Sequence, residues 1–151
     1  MNRPYILPDV PSSRFDELNP SEVMETAWIY AFRKKGTYFN ATPKSGKWLI
    51  FLPLEELDDV WRKVKEATEI GLLGTVSKVA TAYENPYAKN KRERVICVNT
   101  YDADDRQDVS AIRNQLRVLG ISKKIPYKLD SVTQARQYSV QGDSNISYYF
   151  E

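Results

Sequence analysis

GKWLIFLPLEELDDVWRKVKEATEIGLLGTVSKVATA, residues 46–82, is the stretch that decides the fold. Its first part, Lys47–Leu52, is nearly continuously apolar, which predicts a strand covered on both faces, or covered on one and lining a cleft on the other. Pro53 ends that strand and suits the first turn of a helix. Leu54, Leu57, Val60, Trp61 and Val64 then recur at helical spacing, so residues 54–70 should form an amphipathic helix with this stripe buried. Glu55, Glu56, Asp58 and Asp59 lie early in it and Arg62, Lys63 and Lys65 later, an order that favours the helix dipole. Asp58 with Arg62 and Asp59 with Lys63 are expected as i,i+4 pairs on the wet side. Gly71 and Gly74 stop the helix. Thr75–Tyr83 reads as a further strand, with Lys78 where the pattern asks for a core residue.

Toward the N-terminus, Thr26–Arg33 alternates as a strand does, with Trp28, Tyr30 and Phe32 on one face. Ser21 is placed to cap a short helical turn. Residues 1–20 carry four prolines and read as an extended arm, leaving 21–151 as a single domain. Toward the C-terminus, Val95–Thr100 should be a central strand. Asp102–Asp105 forms a turn, followed by a helix to Leu119 with Val109, Ile112, Leu116 and Leu119 inward and Gly120 as its stop. Ile125–Leu129 is a short strand carrying Lys128, and Pro126 suggests an edge position. Gln134–Val140 and Ser147–Glu151 are further strand candidates. Two helices with such apolar faces need a sheet to pack on. The predicted class is α+β: a single curved, mainly antiparallel sheet with both helices on its convex face and a concave face available for a ligand.

Composition narrows the chemistry. The 151 residues carry a formal charge of +2, too mild to indicate nucleic-acid binding by itself. Histidine is absent, which removes the commonest acid/base group at neutral pH and the commonest metal ligand. Ser-His-Asp and Cys-His catalysis are thereby excluded. A single cysteine, Cys97, allows neither an intramolecular disulfide nor a thiolate zinc cage. No cofactor is expected. With no apolar run of about 18 residues and a polar, proline-rich start, the chain reads as soluble and cytoplasmic. Asp102, Asp104, Asp105 and Asp108 lack the glycine and terminal glutamate of a calcium loop, and read as helix capping.

Lys78, Arg94, Lys128 and Arg136 lie on or beside predicted strands. If they share the concave face, they form a positive pocket suited to phosphate. Tyr101, Tyr138 and Trp28 offer stacking surfaces for a base. The structural alternative is that Lys78 pairs with a carboxylate or snorkels from a sheet edge, and that the others are surface charges. The clusters Arg33-Lys34-Lys35, Lys44–Lys47 and Lys89–Arg94 read as solvated loops; the rival reading, a path for a nucleic-acid backbone, would be strongly salt-dependent.

TAWIYAF, GKWLIF, the LDDVW helix, GLLGTVSKVAT, VICVNTYDADDRQDV, RVLG and YKLDSVTQARQY together resemble the basophilic-leukaemia-expressed protein family, also described as a phosphothreonine-lyase domain. The resemblance spans roughly Ala27–Tyr138. It implies a fold similar to the cap-binding translation initiation factor, and its label implies a lyase in which Lys78 would be the base. The lyases use a histidine acid, which this chain lacks. Trp48 and Trp61 read as core, leaving Trp28 as the pocket candidate and disfavouring a cap-type Trp sandwich. The leading expectation is a non-catalytic binding domain for a phosphorylated ligand, a nucleotide or RNA. A phosphate-ester lyase and a protein-interaction module, acting through the N-terminal arm or a sheet edge, are the alternatives.

Overall fold

The computed structural model describes residues 18–84, 92–131 and 147–151. The alternating and apolar runs form β1 (Trp28–Phe32), β2 (Gly46–Pro53), β3 (Val76–Ala80), β4 (Glu93–Thr100), β5 (Pro126–Leu129) and β6 (Tyr149–Phe150). The two periodic stretches form α1 (Leu54–Glu69) and α2 (Arg106–Val118). The six strands make one antiparallel sheet in the order β1-β3-β4-β2-β5-β6, with β4 in its interior as expected. The fold is thus the predicted α+β class with a curved sheet.

Both helices pack on one face. Leu57, Trp61, Val64 and Ala67 of α1 and Val109, Ile112 and Leu116 of α2 share a single core with Ile29, Ala31, Trp48, Ile50, Val79, Ile96 and Val98 of the sheet. Trp48 is fully buried there, and its indole Nε1 donates to the Val109 carbonyl at 3.2 Å. Gly46 precedes it because a Cβ at that position would meet the Tyr127 hydroxyl at 2.5 Å. At the end of α1, Gly71 takes φ +88°, the left-handed conformation that favours glycine at a helix stop.

Arg113 of α2 is 0 % exposed, and the sequence pattern did not single it out. Its guanidinium donates to the carbonyls of Glu151, Ile121 and Lys123 at 2.8, 2.9 and 2.9 Å. Each of the three guanidinium nitrogens thus donates to a carbonyl, which is how a buried arginine is tolerated. The contact ties the C-terminal residue to α2.

Some expectations change. β5 is not an edge strand, since β6 pairs beyond it; Pro126 is its first residue, a position where a missing N–H is tolerated. Asp58 does not pair with Arg62. It accepts from the Ser21 backbone N–H at 2.9 Å and the Ser21 hydroxyl at 2.5 Å, which pins the Pro20–Glu22 3-10 turn onto α1. Arg62 instead bonds Asp59 at 2.9 Å. The strand expected at Gln134–Val140 and residues 1–17 of the arm lie outside the described residues.

Candidate ligand-binding face

Side chains alternate across a strand, so each core residue implies neighbours on the opposite face. Ile29, Ala31, Val79, Ile96, Val98, Trp48 and Ile50 face the helices. Trp28, Lys78, Cys97, Asn99 and Lys47 therefore face the other way. The register places Lys78 opposite Tyr30 on β1 and Cys97 on β4, and Lys47 opposite Asn99 on β4 and Lys128 on β5. Lys47, Lys78 and Lys128 thus occupy one face.

Lys78 stands on an interior strand, so it does not snorkel from an edge. Its Nζ lies 4.1 Å from the centroid of the Trp28 ring, a cation–π arrangement. Among the described residues no ion pair includes it. Lys47 is different: its Nζ meets Asp130 Oδ1 at 2.7 Å, and Asp130 Oδ2 accepts from the Ser45 hydroxyl at 2.8 Å. Between the two lysines lies the buried Cys97 thiol. Burial pushes that thiol up to about 11 against the opposing pull of Lys78 and Lys47.

The other sequence candidates distribute as follows. Lys128 is on this face, in register with Lys47. Arg94 pairs in register with Leu52 and stands at the parity of Ile96 and Val98, on the helix-facing side. Its Nε donates to the Thr81 carbonyl at 2.6 Å and an Nη to the Glu93 carbonyl at 3.0 Å, so it braces the chain at the strand ends rather than joining Lys78. Arg136 and Tyr138 lie outside the described residues. Of the loop cations, Lys34 pairs with Glu69, Lys44 with Asp104, and Arg33 donates to the backbone carbonyls of Lys35, Thr37 and Leu73, while Lys89 and Lys91 lie outside the described residues.

Tyr101 directs attention to the end of the sheet. There the β1–β2 connection, residues 33–45, folds beside the start of β3 and the end of β4 and borders a half-open cavity of about 480 Å³. Tyr38, Phe39, Asn99, Tyr101, Ser45 and Asp130 line it. Asn99 and Asp130 connect it to the lysine row, since Asn99 faces Lys47 in register and Asp130 holds the Lys47 ammonium. Its aromatic wall is a three-ring cluster. Phe39, 60 % exposed, lies 4.4 Å from Tyr101 at 30°. Tyr38 meets Phe39 at 5.8 Å and Tyr101 at 5.7 Å, both edge-on. The Tyr101 hydroxyl donates to Asp105, a bond that with burial pushes it up to about 12.

Sequence reasoning missed Lys47, Tyr38 and Phe39. Lys47 stands both at the start of the Lys47–Leu52 strand and at the end of a loop cluster, and its odd-number parity with Leu49 separates it from Trp48. Tyr38 and Phe39 form an aromatic pair inside an otherwise polar connection, a signal for a loop that folds back over something apolar.

The profile of the family described as basophilic leukemia-expressed protein Bles03 matches residues 40–135. Solved structures share the fold. The schistosome eIF4E in complex with m7GpppA and 4E-BP superposes with a TM-score of 0.66 at 14 % identity, over 93 % of this chain and 78 % of that one. Caenorhabditis elegans (C. elegans) eIF4E-3, in complex with the 4E-binding protein Mextli and a cap analog, gives 0.58 at 16 % identity, over 82 % and 74 %. Ascaris suum eIF4E-3 with an m2,2,7G cap gives 0.55 at 16 %, over 78 % and 71 %.

Proposed function

We propose that this chain, which belongs to the basophilic leukemia-expressed protein Bles03 family, is a binding domain for a phosphorylated ligand, a nucleotide or an RNA end, taken on the face of its sheet opposite the helices. The observation that carries this reading is Lys78. It is a cation in the middle of the sheet, outside every ion pair of the described residues, with its ammonium over an indole. Such a group gains most from an arriving anion, because part of its desolvation is already paid in the unliganded protein. Lys128 and Lys47 extend the positive row, with Lys47 partly neutralised by Asp130. The adjoining cavity lies within the roughly 300–1,000 Å³ range of small-molecule sites. Phe39 and Tyr101 give it an aromatic surface for a base.

The ligands of the solved neighbours make capped dinucleotides natural first probes. A Trp sandwich is not the means here, because Trp48 and Trp61 are core residues and Trp28 lies beneath Lys78. Titration calorimetry with m7GpppG, nucleoside monophosphates and short RNA tests the reading. Binding is expected to weaken at higher salt and to be reduced about tenfold or more by Lys78→Ala, the loss of one charge-assisted contact. No binding at low salt, or binding indifferent to Lys78→Ala, overturns it.

A lyase reading gains one observation: Tyr30 stands opposite Lys78 in register. Lys78 would remove the α-proton of a phosphothreonine, and the Cβ–O bond would break to release phosphate, with the Tyr30 hydroxyl as proton donor. Phosphate release from a phosphothreonine peptide, abolished by Lys78→Ala and by Tyr30→Phe, would support it. Its absence in the unaltered protein excludes it for that substrate.

A further inference from the structure

Tyr38 joins the cavity's aromatic wall to Asp108, a residue that does not line it. Tyr38 is central to the three-ring cluster, with its edges meeting Phe39 and Tyr101 and the Arg33 guanidinium 5.3 Å from its centroid. Its hydroxyl has two polar contacts among the described residues. It donates to Asp108 Oδ2 at 2.6 Å and accepts from the Tyr101 backbone N–H at 3.2 Å. A phenol carries one proton, and an ionised carboxylate only accepts, so Asp108 fixes which way the hydroxyl points. With the proton committed to Asp108, a lone pair is left for the Tyr101 amide. The chain of contacts runs Asp108, Tyr38, Tyr101, and then to Phe39, whose ring lies tilted against that of Tyr101.

We infer that Asp108 is a positioning residue for the cavity: through the Tyr38 hydroxyl it holds the Phe39–Tyr101 wall in the geometry that receives a ligand.

Three features support this. Asp108 sits in the first turn of α2, on an element anchored in the core by Val109 and Ile112, so it is a rigid post for a ring carried on a long connection. It is half-buried and outside the cavity lining, so it acts without touching a ligand. Its own position is fixed, since its backbone N–H donates to the capping carboxylate of Asp105 at 3.1 Å. Burial raises the Asp108 carboxyl above its ordinary range and nearby Asp105 adds to this, while the Tyr38 hydrogen bond and the Arg33 charge oppose it. A carboxylate kept partly buried beside another acid needs the phenol, and the phenol needs the carboxylate. Other ties act on the same wall: the Tyr101 hydroxyl donates to Asp105 and the Tyr101 carbonyl accepts from Thr42, so the Asp108–Tyr38 pair adds the hold on the Tyr101 amide and on the Tyr38 edge.

The part concerning a ligand rests on the binding role proposed above; the part concerning the wall does not, and the experiment separates them. Amide hydrogen exchange at Tyr101 is measured by NMR on the full chain, unaltered and as Asp108→Ala, Asp108→Asn, Tyr38→Phe and the double variant Asp108→Ala/Tyr38→Phe. Asp108→Ala and Tyr38→Phe should each speed exchange at this amide about tenfold, as expected for one lost hydrogen bond. Asp108→Asn, which keeps an acceptor for the phenol, should restore most of the protection. In the Tyr38→Phe background Asp108→Ala should add nothing, the signature of two groups acting as a unit. An equal effect in both backgrounds, or no effect in either, overturns the inference; should Asp108→Ala fail to fold, Asp108→Leu, which has nearly the shape of the aspartate and no acceptor, takes its place in both backgrounds and is read the same way. In parallel, m7GpppG and guanosine monophosphate are titrated into each variant. Weakened binding in Asp108→Ala, recovered in Asp108→Asn, extends the positioning role to the ligand, and unchanged binding removes that extension. If the unaltered protein binds neither probe, the binding role fails for them while the exchange data still decide what Asp108 does.

Discussion

The two faces of the sheet are built from the same strands, often from adjacent residues, yet they follow different rules. Trp48 and Lys47 are neighbours in sequence. Trp48 is fully buried between α2 and the sheet, whereas Lys47 points the other way and needs Asp130 to hold its charge. Val79 and Lys78 make the same contrast on β3: one is in the shared core, the other presents an ammonium over Trp28. The helix face is sealed by apolar side chains, so its energetics are those of packing. The opposite face mixes a buried thiol with three lysines, so its energetics are electrostatic. Among the described residues both helices lie on one face, and the lysines of the other face stand outside the core that holds the sheet together.

The sharpest way to break that comparison is to cut each face in turn. On the helix face, Trp48→Ala should cost about 3–5 kcal/mol, the range for truncating a large buried aromatic, read as a fall in the urea midpoint. A loss near that of a surface substitution would mean that the two faces do not differ. Arg113→Ala should follow at roughly 3 kcal/mol, because three carbonyls lose a charged donor and the C-terminal residue loses its tether. Hydrogen exchange at the end of β6 should rise in the same variant.

On the lysine face the effects should be smaller and should depend on pH. The folded-state Cys97 thiol is raised from 9.0 to about 11 by burial, so its contribution to stability is fully present below pH 9 and is lost as pH rises through about 11. The difference between the unaltered protein and Cys97→Ala should therefore change by about 2–3 kcal/mol across that window, at about 1.4 kcal/mol per unit. At pH 7 the thiol should resist alkylation until the protein unfolds. A Cys97 that reacts at the rate of a free thiol would show that this face is open at its centre.

The smallest expected effect on stability is that of Lys78→Ala, about 0.5–1 kcal/mol, since it loses the cation–π contact with Trp28 and no ion pair of the described residues. Its effect on nucleotide affinity should be the larger one. A strongly destabilised Lys78→Ala protein would make Lys78 structural and move it to the other side of the comparison.

Periodicity determined the architecture. The helical stripe from Leu54 to Val64, the alternation in Thr26–Arg33 and the apolar runs at β2 and β4 are local patterns, and local patterns are written in the chain. Parity within a strand also separated Lys78 from Val79. What parity could not supply was register, because pairing depends on which strands become neighbours. Only the tertiary structure set Lys47 beside Lys128, turned Arg94 away from Lys78, and put β6 outside β5. Loop geometry was equally hidden. Tyr38 and Asp108 are 70 residues apart, and nothing in either segment announces their hydrogen bond. The elements were legible because each is stabilised by its own neighbours in sequence; the site was not, because it is made of contacts between elements that meet only after the sheet has formed.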